Sequence, residues 1–246
     1  MNILRRMAYR LNFFIFFFTV TLHLAVYLIF IKIIYGHVTS IAGWDLYHSL
    51  LIIASAMIIE ALCWITCRMM LNIGKDVVNG NMDFHIVKPI DIQFLVSVNI
   101  LDPEDISRFV LGLIVLFYAL NNIKVSIVDF ILYIFLLILA FIITYSILTI
   151  VATISFFVID ARAMHMVSMR ILQISQYPTD IYTGIMKTVF SFIIPIAFIA
   201  TVPAKVLSGW WNWTLVAQSF LLAIIFFYVS RKFFLFGLSR YSSASS

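Results

Sequence analysis

The feature that most constrains the fold of this chain is a series of long apolar runs separated by short polar segments. Hydrophobic residues make up 64% of the 246 residues and charged residues only 11%. This leaves too little polar surface to cover the exterior of a soluble domain. An α-helix of about 20 apolar residues crosses the hydrocarbon core of a bilayer. Because backbone groups in lipid must be hydrogen-bonded internally, the runs predict an all-α, polytopic transmembrane helical bundle.

We predict six membrane spans. They cover residues 11–35, 46–71, 102–122, 126–158, 189–207 and 213–238. Asp102 and Pro103 form a strong helix-start signal for the third span. The fourth run is longer than a bilayer requires, so its helix must tilt, protrude or break. No linker divides residues 1–246, which we therefore take as a single domain with a disordered serine-rich tail at 239–246.

The moderately polar segment at residues 160–187 allows a second interpretation of the fifth span. In the first interpretation this segment is cytoplasmic and residues 189–207 cross the membrane, which keeps its charged side chains out of lipid. In the second, residues 164–176 form a short span and residues 188–207 form a re-entrant hairpin. We favour the first interpretation because it is the simpler one. Either way, the number of spans is six.

The basic residues predict that both termini lie in the cytoplasm. The net charge is +5, and lysine and arginine gather in alternate loops, as the positive-inside rule requires of cytoplasmic loops. The cytoplasmic groups contain Arg5, Arg6, Arg10, Arg68, Lys75, Lys88, Arg162, Arg170, Arg231, Lys232 and Arg240. The opposite loops hold Lys32, Lys124 and Lys205 singly. Topology therefore explains the positive charge without a nucleic-acid partner.

Glu60 is the only acid well inside the second span. A carboxylate inside a span must face a cavity, pair with another group or be protonated. Glu60 is therefore a candidate for the translocation path, and a structural hydrogen bond to another helix is the alternative. Cys63 and Cys67 lie on the same helical face as Glu60. Together the three groups leave a zinc site one ligand short, so we predict buried thiols and no metal.

The segment VVNGNMDFHIVKP is the least apolar stretch in the first half of the chain. Gly80 permits a tight turn before MDFHIVKP, and Pro89 ends any helix within these residues. The apolar positions between them recur every four residues, at Met82, Ile86 and Ile90. This spacing predicts one or two turns of amphipathic helix. The helix either lies on lipid or docks onto a soluble partner, and the acids around it argue against simple adhesion to an anionic leaflet.

The sequence contains no recognisable catalytic or phosphate-binding motif. GKDVVNGN holds a lysine and two glycines, but it lacks the G-x-x-x-x-G-K-[ST] order that cradles phosphates. No nucleophile-elbow signature is present. We therefore expect no enzyme activity and no ATP hydrolysis by this chain. A membrane enzyme would need converging polar groups at one depth, and an ion-coupled, non-ABC carrier would need several intramembrane acids, whereas Glu60 stands nearly alone.

Four short motifs of this sequence are similar to those of one membrane-protein family. GNMDFHIVKP at residues 80–89 is similar to that family's G-x-x-D-x-x-L-x-[KR]-P segment, with Ile86 at the leucine position. In the second half, YPTDIY at 177–182, PIAF at 195–198 and PAKVLSG at 203–209 resemble its YP-x-x-IY, PxAF and PAxxLxG run. The family that these motifs resemble is that of the ABC-2-type permeases of daunorubicin-resistance-like exporters.

The resemblance implies a permease subunit of an ABC exporter in the plasma membrane of a prokaryote. Such a subunit pairs with a second permease, either a copy or a paralogue, and with separate ATP-binding subunits, so it needs no cofactor of its own. Residues 72–105 would form its cytoplasmic coupling loop. The residues expected to couple this loop to the ATP-binding subunit are Gly80, Asp83, Lys88 and Pro89.

The translocation path or gate is expected to involve Glu60 and five residues of the second half. These five are Tyr177, Pro178, Tyr182, Pro195 and Pro203. Pro195 and Pro203 lie in an apolar run, where each removes a backbone hydrogen-bond donor. This predicts a kink or a broken helix. The kink or break is either a hinge or a static bend. The tryptophans at 210, 211 and 213 predict an aromatic belt at the membrane interface.

Overall fold

The computed structural model describes residues 10–98, 104–158 and 161–241. Within these ranges the chain is helical and has no strand, apart from an isolated bridge between Ile41 and Trp44. The prediction of an all-α fold is therefore confirmed. The helices are α1 (Arg10–His37), α2 (Leu46–Val78), α3 (Asp83–Ile86), α4 (Ile92–Val98), α5 (Glu104–Leu120), α6 (Ile127–Ile154), α7 (Ala161–Ile174), α8 (Gly184–Thr188), α9 (Thr201–Leu207) and α10 (Trp213–Ser239).

Four of the described helices, α1, α2, α6 and α10, are long and apolar enough to cross a membrane. They correspond to the predicted first, second, fourth and sixth spans. The third predicted span is the shorter apolar helix α5. Asp102 and Pro103, the predicted start signal of that helix, lie outside the described residues, as does the tail after Tyr241.

Side-chain caps fix where the long helices begin. Asp45 accepts a hydrogen bond from the backbone N–H of His48 and starts α2. Ser126 and Asp129 form a capping box at the start of α6, and Asn212 caps α10. Each cap satisfies backbone donors that a helix leaves unpaired at its first turn. The 28 residues of α6 make a helix of about 42 Å, which ends before the predicted boundary at residue 158.

The helix α2 is the centre of the bundle and contains a kink. It packs against α4, α5, α6 and α7 and is buried over most of its length. The backbone at Cys67 leaves the helical region, with φ −119° and ψ 16°. Next to it, the Thr66 hydroxyl donates to the carbonyl of Leu62 at 2.7 Å, a bond that often bends helices. The close approach of α5 depends on Gly112, where a Cβ would meet Met57 and Ile58 at 3.2 Å.

The bundle has two ends, named here after one residue at each. At the Trp44 end, Trp44 contacts Asp180 and Trp210, and Trp211 contacts Asp129. At the Asp91 end, Asp91 pairs with Arg231. Because α2, α6 and α10 each begin at the Trp44 end and finish at the Asp91 end, the two groups of contacts lie on opposite sides of the bundle.

The favoured interpretation placed one crossing at residues 189–207, but this stretch is not a continuous helix and both of its ends lie on the same side of the bundle. This stretch is divided into a π-helical turn at Val189–Ile193, a 3₁₀ turn at Ile196–Phe198 and the short helix α9. It starts and finishes at the Trp44 end, since Asp180 before it and Trp210 after it both contact Trp44. The re-entrant interpretation therefore describes this stretch.

The helix α7 lies in the segment at residues 160–187, where the second interpretation placed a short span. It packs along α2 and leads from the Asp91 end towards the Trp44 end. Two of its titratable side chains contact neighbouring residues. Arg170 donates to Gln173 at 2.9 Å, and the His165 ring packs edge-on against Trp64.

Candidate functional site

A tight turn follows α2 at the Asp91 end and positions the one-turn helix α3. Gly80 has φ +72°, in the left-handed region that glycine adopts without strain. The backbone carbonyl of Asp76 accepts from Met82 N–H at 3.2 Å, and that of Gly80 accepts from Asp83 N–H at 3.3 Å. The predicted turn is confirmed. However, residues 72–78 continue α2, so the loop begins later than residue 72.

The two faces of α3 differ in exposure and in chemistry. Met82 is fully buried in a small cluster with Met70, Ile73 and Phe234, which anchors the segment to α2 and α10. On the opposite face, the side chains of Phe84 and Val87 are 69% and 79% exposed. The Asp91 end therefore presents a small apolar surface, formed by these two residues.

The expected fourfold apolar stripe is only partly correct. Met82 is buried, but Ile86 and Ile90 are exposed. Because α3 ends at Ile86, Ile90 lies outside the helical register. The second buried position is His85, whose Nε2 lies 3.9 Å from Asp76 Oδ2.

The four predicted coupling residues lie together in this segment. Gly80 shapes the turn and Asp83 begins α3. Lys88 and Pro89 are exposed just beyond the helix. The hydroxyl of Tyr241 lies beside Asp83, and burial, followed by this carboxylate, raises the pKa of Tyr241.

The segment is also tied to the bundle through Asp91 and Gln93. Arg231 of α10 donates to Asp91 Oδ1 at 3.0 Å and to Gln93 Oε1 at 2.9 Å. The hydrogen bonds from Arg231 lower the pKa of Asp91, so its carboxylate is charged at neutral pH. The amide of Gln93 in turn donates to the Tyr145 hydroxyl of α6 at 2.9 Å. These hydrogen bonds tie the segment to both α6 and α10.

Glu60 has a partner that the sequence argument missed. Arg108 of α5 donates to Glu60 Oε1, and the two side chains are 22% and 14% exposed, respectively. Gln176, which follows α7, donates to Glu60 Oε2 at 3.4 Å. The group thus joins α2 and α5 to the chain after α7. Arg108 is separated from Glu60 by 48 residues, so spacing along the chain gave no signal for the pair.

The predicted gate residues of the second half fall into two places. Tyr177 packs edge-on against Tyr27 of α1 at 6.2 Å, and Pro178 precedes the 3₁₀ turn at Thr179–Ile181. Tyr182 packs against Phe190 at 4.7 Å. The structure therefore places these three residues where α7 meets the re-entrant stretch, directly after Gln176, which contacts Glu60.

The two prolines of the re-entrant stretch act differently. Pro195, with ψ 58°, separates the π-helical turn from the 3₁₀ turn, which agrees with the predicted break. Pro203 lies in the first turn of α9, where the missing N–H has no helical partner in any case. The predicted kink at Pro203 is therefore wrong.

A polar contact closes the re-entrant stretch at the Trp44 end. Asp180 accepts from Trp44 Nε1 at 3.0 Å and from Lys205 Nζ at 2.7 Å. Trp210 stacks on His48 with ring centres 4.4 Å apart, and Trp211 donates to Asp129 at 2.8 Å. These two tryptophans thus hold the end of the bundle together in addition to any contact with the interface.

The two cysteines of α2 are buried and unbridged. Among the residues that the structure describes, no group of three or more His, Cys, Asp or Glu side chains is placed to hold a metal ion. The candidate sites of the described chain are thus the exposed segment around α3 and the partly buried pair of Glu60 and Arg108.

Comparison with known proteins gives one match. A family model described as "ABC-2 family transporter protein" matches residues 21–245, which is nearly the whole chain. No curated protein and no solved structure matches the sequence.

Proposed function

Because the chain belongs to the ABC-2 transporter family, we propose that it forms the translocation path of an exporter driven by a separate ATP-binding subunit. As a member of this family the chain is an integral membrane protein. In the proposal, a second permease, either a copy or a paralogue, completes the path. The transporter lies in the plasma membrane of a prokaryote, and this chain binds no cofactor.

The proposed topology has six crossings and both termini in the cytoplasm. The crossings are α1, α2, α5, α6, α7 and α10, and the re-entrant stretch returns to the side from which it came. The Asp91 end is cytoplasmic in this arrangement. Its support is the distribution of charge, since the described part of that end carries Lys75, Lys88, Lys232 and Arg240, as expected of a cytoplasmic face.

The observation that carries the proposal is the exposed apolar pair of Phe84 and Val87 on a segment anchored from below by Met82. Apolar side chains held out on a firmly attached turn suit a groove in a partner, which buries them on docking. Lys88, beside them, adds a charge at the rim of the surface. The proposed partner is the ATP-binding subunit.

Force from that subunit would reach the bundle by two routes. The first is the direct continuation of the turn into α2, which is kinked at Cys67. The second is the bond from Asp91 to Arg231, which passes to α10. We propose that the motion separates Glu60 from Arg108 and opens a path beside α2 and α5. The predicted gate residues around Tyr177 and Pro195 would then open the Trp44 end.

Co-purification tests this function. The tagged wild-type chain, co-expressed with its cognate ATP-binding subunit, should bring that subunit down, and Asp83→Arg should weaken the association because it replaces an acid with a bulky cation at the start of α3. Lys205→Gln, at the opposite end, is the control and should retain the partner. If wild type and Asp83→Arg both purify without the subunit, or retain equal amounts of it, the proposed coupling is wrong.

A further inference from the structure

A cavity of about 550 Å³ lies at the Asp91 end, near α3. The function proposed above gives this cavity no role. The cavity is open and is bordered by α2 at its kink, α4, α6 and α10. Its volume is in the range typical of small-molecule sites, about 300–1,000 Å³. The lining residues are Thr66, Cys67, Asp91, Gln93, Phe94, Ser97, Phe141, Ile142, Tyr145, Phe227 and Arg231.

The cavity has an apolar wall and a polar rim. Aromatic and aliphatic side chains from α6 and α10, including Phe141, Ile142 and Phe227, form the wall. The polar groups form a connected chain of hydrogen bonds, in which Arg231 binds Asp91 and Gln93, and the Tyr145 hydroxyl binds Gln93 and Ser97. A wall without polar partners beside a charged rim suits a ligand that is apolar at one end and charged at the other.

We propose that this cavity binds an amphiphile with an acyl chain and a phosphate headgroup, drawn from the membrane leaflet at the Asp91 end. The acyl chain lies against Phe141 and Phe227, and the phosphate pairs with Arg231. A guanidinium group binds phosphate through two parallel hydrogen bonds. Arg240, on the same end of α10, adds positive charge that attracts anionic amphiphiles.

The headgroup competes with Asp91 for Arg231. Asp91 also accepts from the backbone N–H of Phe94 at 3.0 Å, which caps α4. A bound phosphate therefore releases α4 from α10 and loosens the support of α3, so occupancy of the cavity alters coupling to the ATP-binding subunit. This consequence rests on the proposed function, whereas the binding of the amphiphile does not.

Native mass spectrometry of the detergent-purified full chain with added lysophosphatidic acid tests the binding. Arg231→Gln should weaken it by about 10-fold or more, because a charge-assisted contact is lost. Asp91→Asn should tighten it by about two- to fivefold, because the competing carboxylate of an exposed pair is removed while asparagine still caps α4. Lys232→Gln, next in sequence but outside the cavity, should change it little.

Arg231→Gln and Asp91→Asn break the same ion pair, so a purely structural role of the pair predicts equal effects on binding. Weaker binding for the first and tighter binding for the second indicate a binding site instead. If both weaken binding equally, or if Arg231→Gln equals Lys232→Gln, the proposal is overturned. Ile142→Phe fills the cavity and should abolish binding of the lipid. Ile138→Phe changes an exposed residue of the same helix and should not. Equal binding by these two variants also overturns the proposal. Glycerol phosphate at the same concentration should not displace lysophosphatidic acid, because it lacks the acyl chain. Displacement would indicate a site for free anions. The ATP-binding subunit is absent here, so failure of this proposal leaves the co-purification test of function unaffected.

Discussion

Replacing Phe84 by alanine should weaken binding of the ATP-binding subunit without destabilising the bundle. The side chain is 69% exposed in the described chain, so docking can bury about two thirds of it. Full burial of a phenylalanine contributes about 1.5–3 kcal/mol, and two thirds of this is about 1–2 kcal/mol. The dissociation constant should therefore rise by about 5- to 30-fold.

The assay is a titration of the purified ATP-binding subunit against the permease reconstituted in lipid nanodiscs, at fixed nucleotide and salt concentration. Phe220→Ala is a matched control, because Phe220 is also a half-exposed phenylalanine, at 51%, but lies on α10. Thermal unfolding of the two variants should resemble that of the wild type, since neither side chain belongs to the core.

Equal affinity of Phe84→Ala and Phe220→Ala would refute the reasoning. In that case the exposed face of α3 would contact lipid rather than a protein groove, as an interfacial helix does. Val87→Ala offers an independent check on the same surface, since Val87 is even more exposed.

Three further predictions concern the bundle. Glu60→Gln or Arg108→Gln alone should lower the midpoint of thermal unfolding by about 2–12 °C, because each leaves a partly buried charge without its partner. The double variant should recover part of this, and a loss equal to the sum of the single losses would contradict the pairing. Gly237→Ala should destabilise the protein by about 1–3 kcal/mol, since the added Cβ would lie 2.5 Å from Thr153 Cγ2. In a denaturation assay, the further substitution Thr153→Ala should recover part of the lost stability. No recovery would argue against the contact. Asp180→Ala should increase cleavage of the re-entrant stretch by an added protease more than Asp180→Asn, which retains an acceptor for the indole; equal cleavage of the two variants would contradict that role.

The long helices could be predicted from the sequence because length and apolar composition are local properties. The runs that became α1, α2, α6 and α10 needed no partner to be identified, and the turn at Gly80 followed from the freedom of glycine at positive φ. The one-turn length of α3 was harder to foresee, because Pro89 limits where a helix can end but does not determine it.

The contacts between distant residues could not be predicted in the same way. Arg108 pairs with Glu60 only because α5 packs against α2, and Asp180 reaches Trp44 across 136 residues. The path of residues 189–207 could not be predicted for the same reason. Hydropathy favours a crossing there, whereas Pro195 breaks the helix and the contacts of Trp44 bring both ends of the stretch together. The cavity beside Arg231 likewise depends on four helices meeting, which no single segment reveals.

The accessibility of residue 87 from each side of the membrane tests the central claim most directly. In a background of Cys63→Ala and Cys67→Ala, a cysteine introduced by Val87→Cys should react with a membrane-impermeant maleimide in inside-out vesicles and not in intact cells or spheroplasts. A cysteine introduced by Thr39→Cys, near the Trp44 end, should show the reverse. Labelling of Val87→Cys from the outside would contradict the claim that this segment receives force from a cytoplasmic ATP-binding subunit.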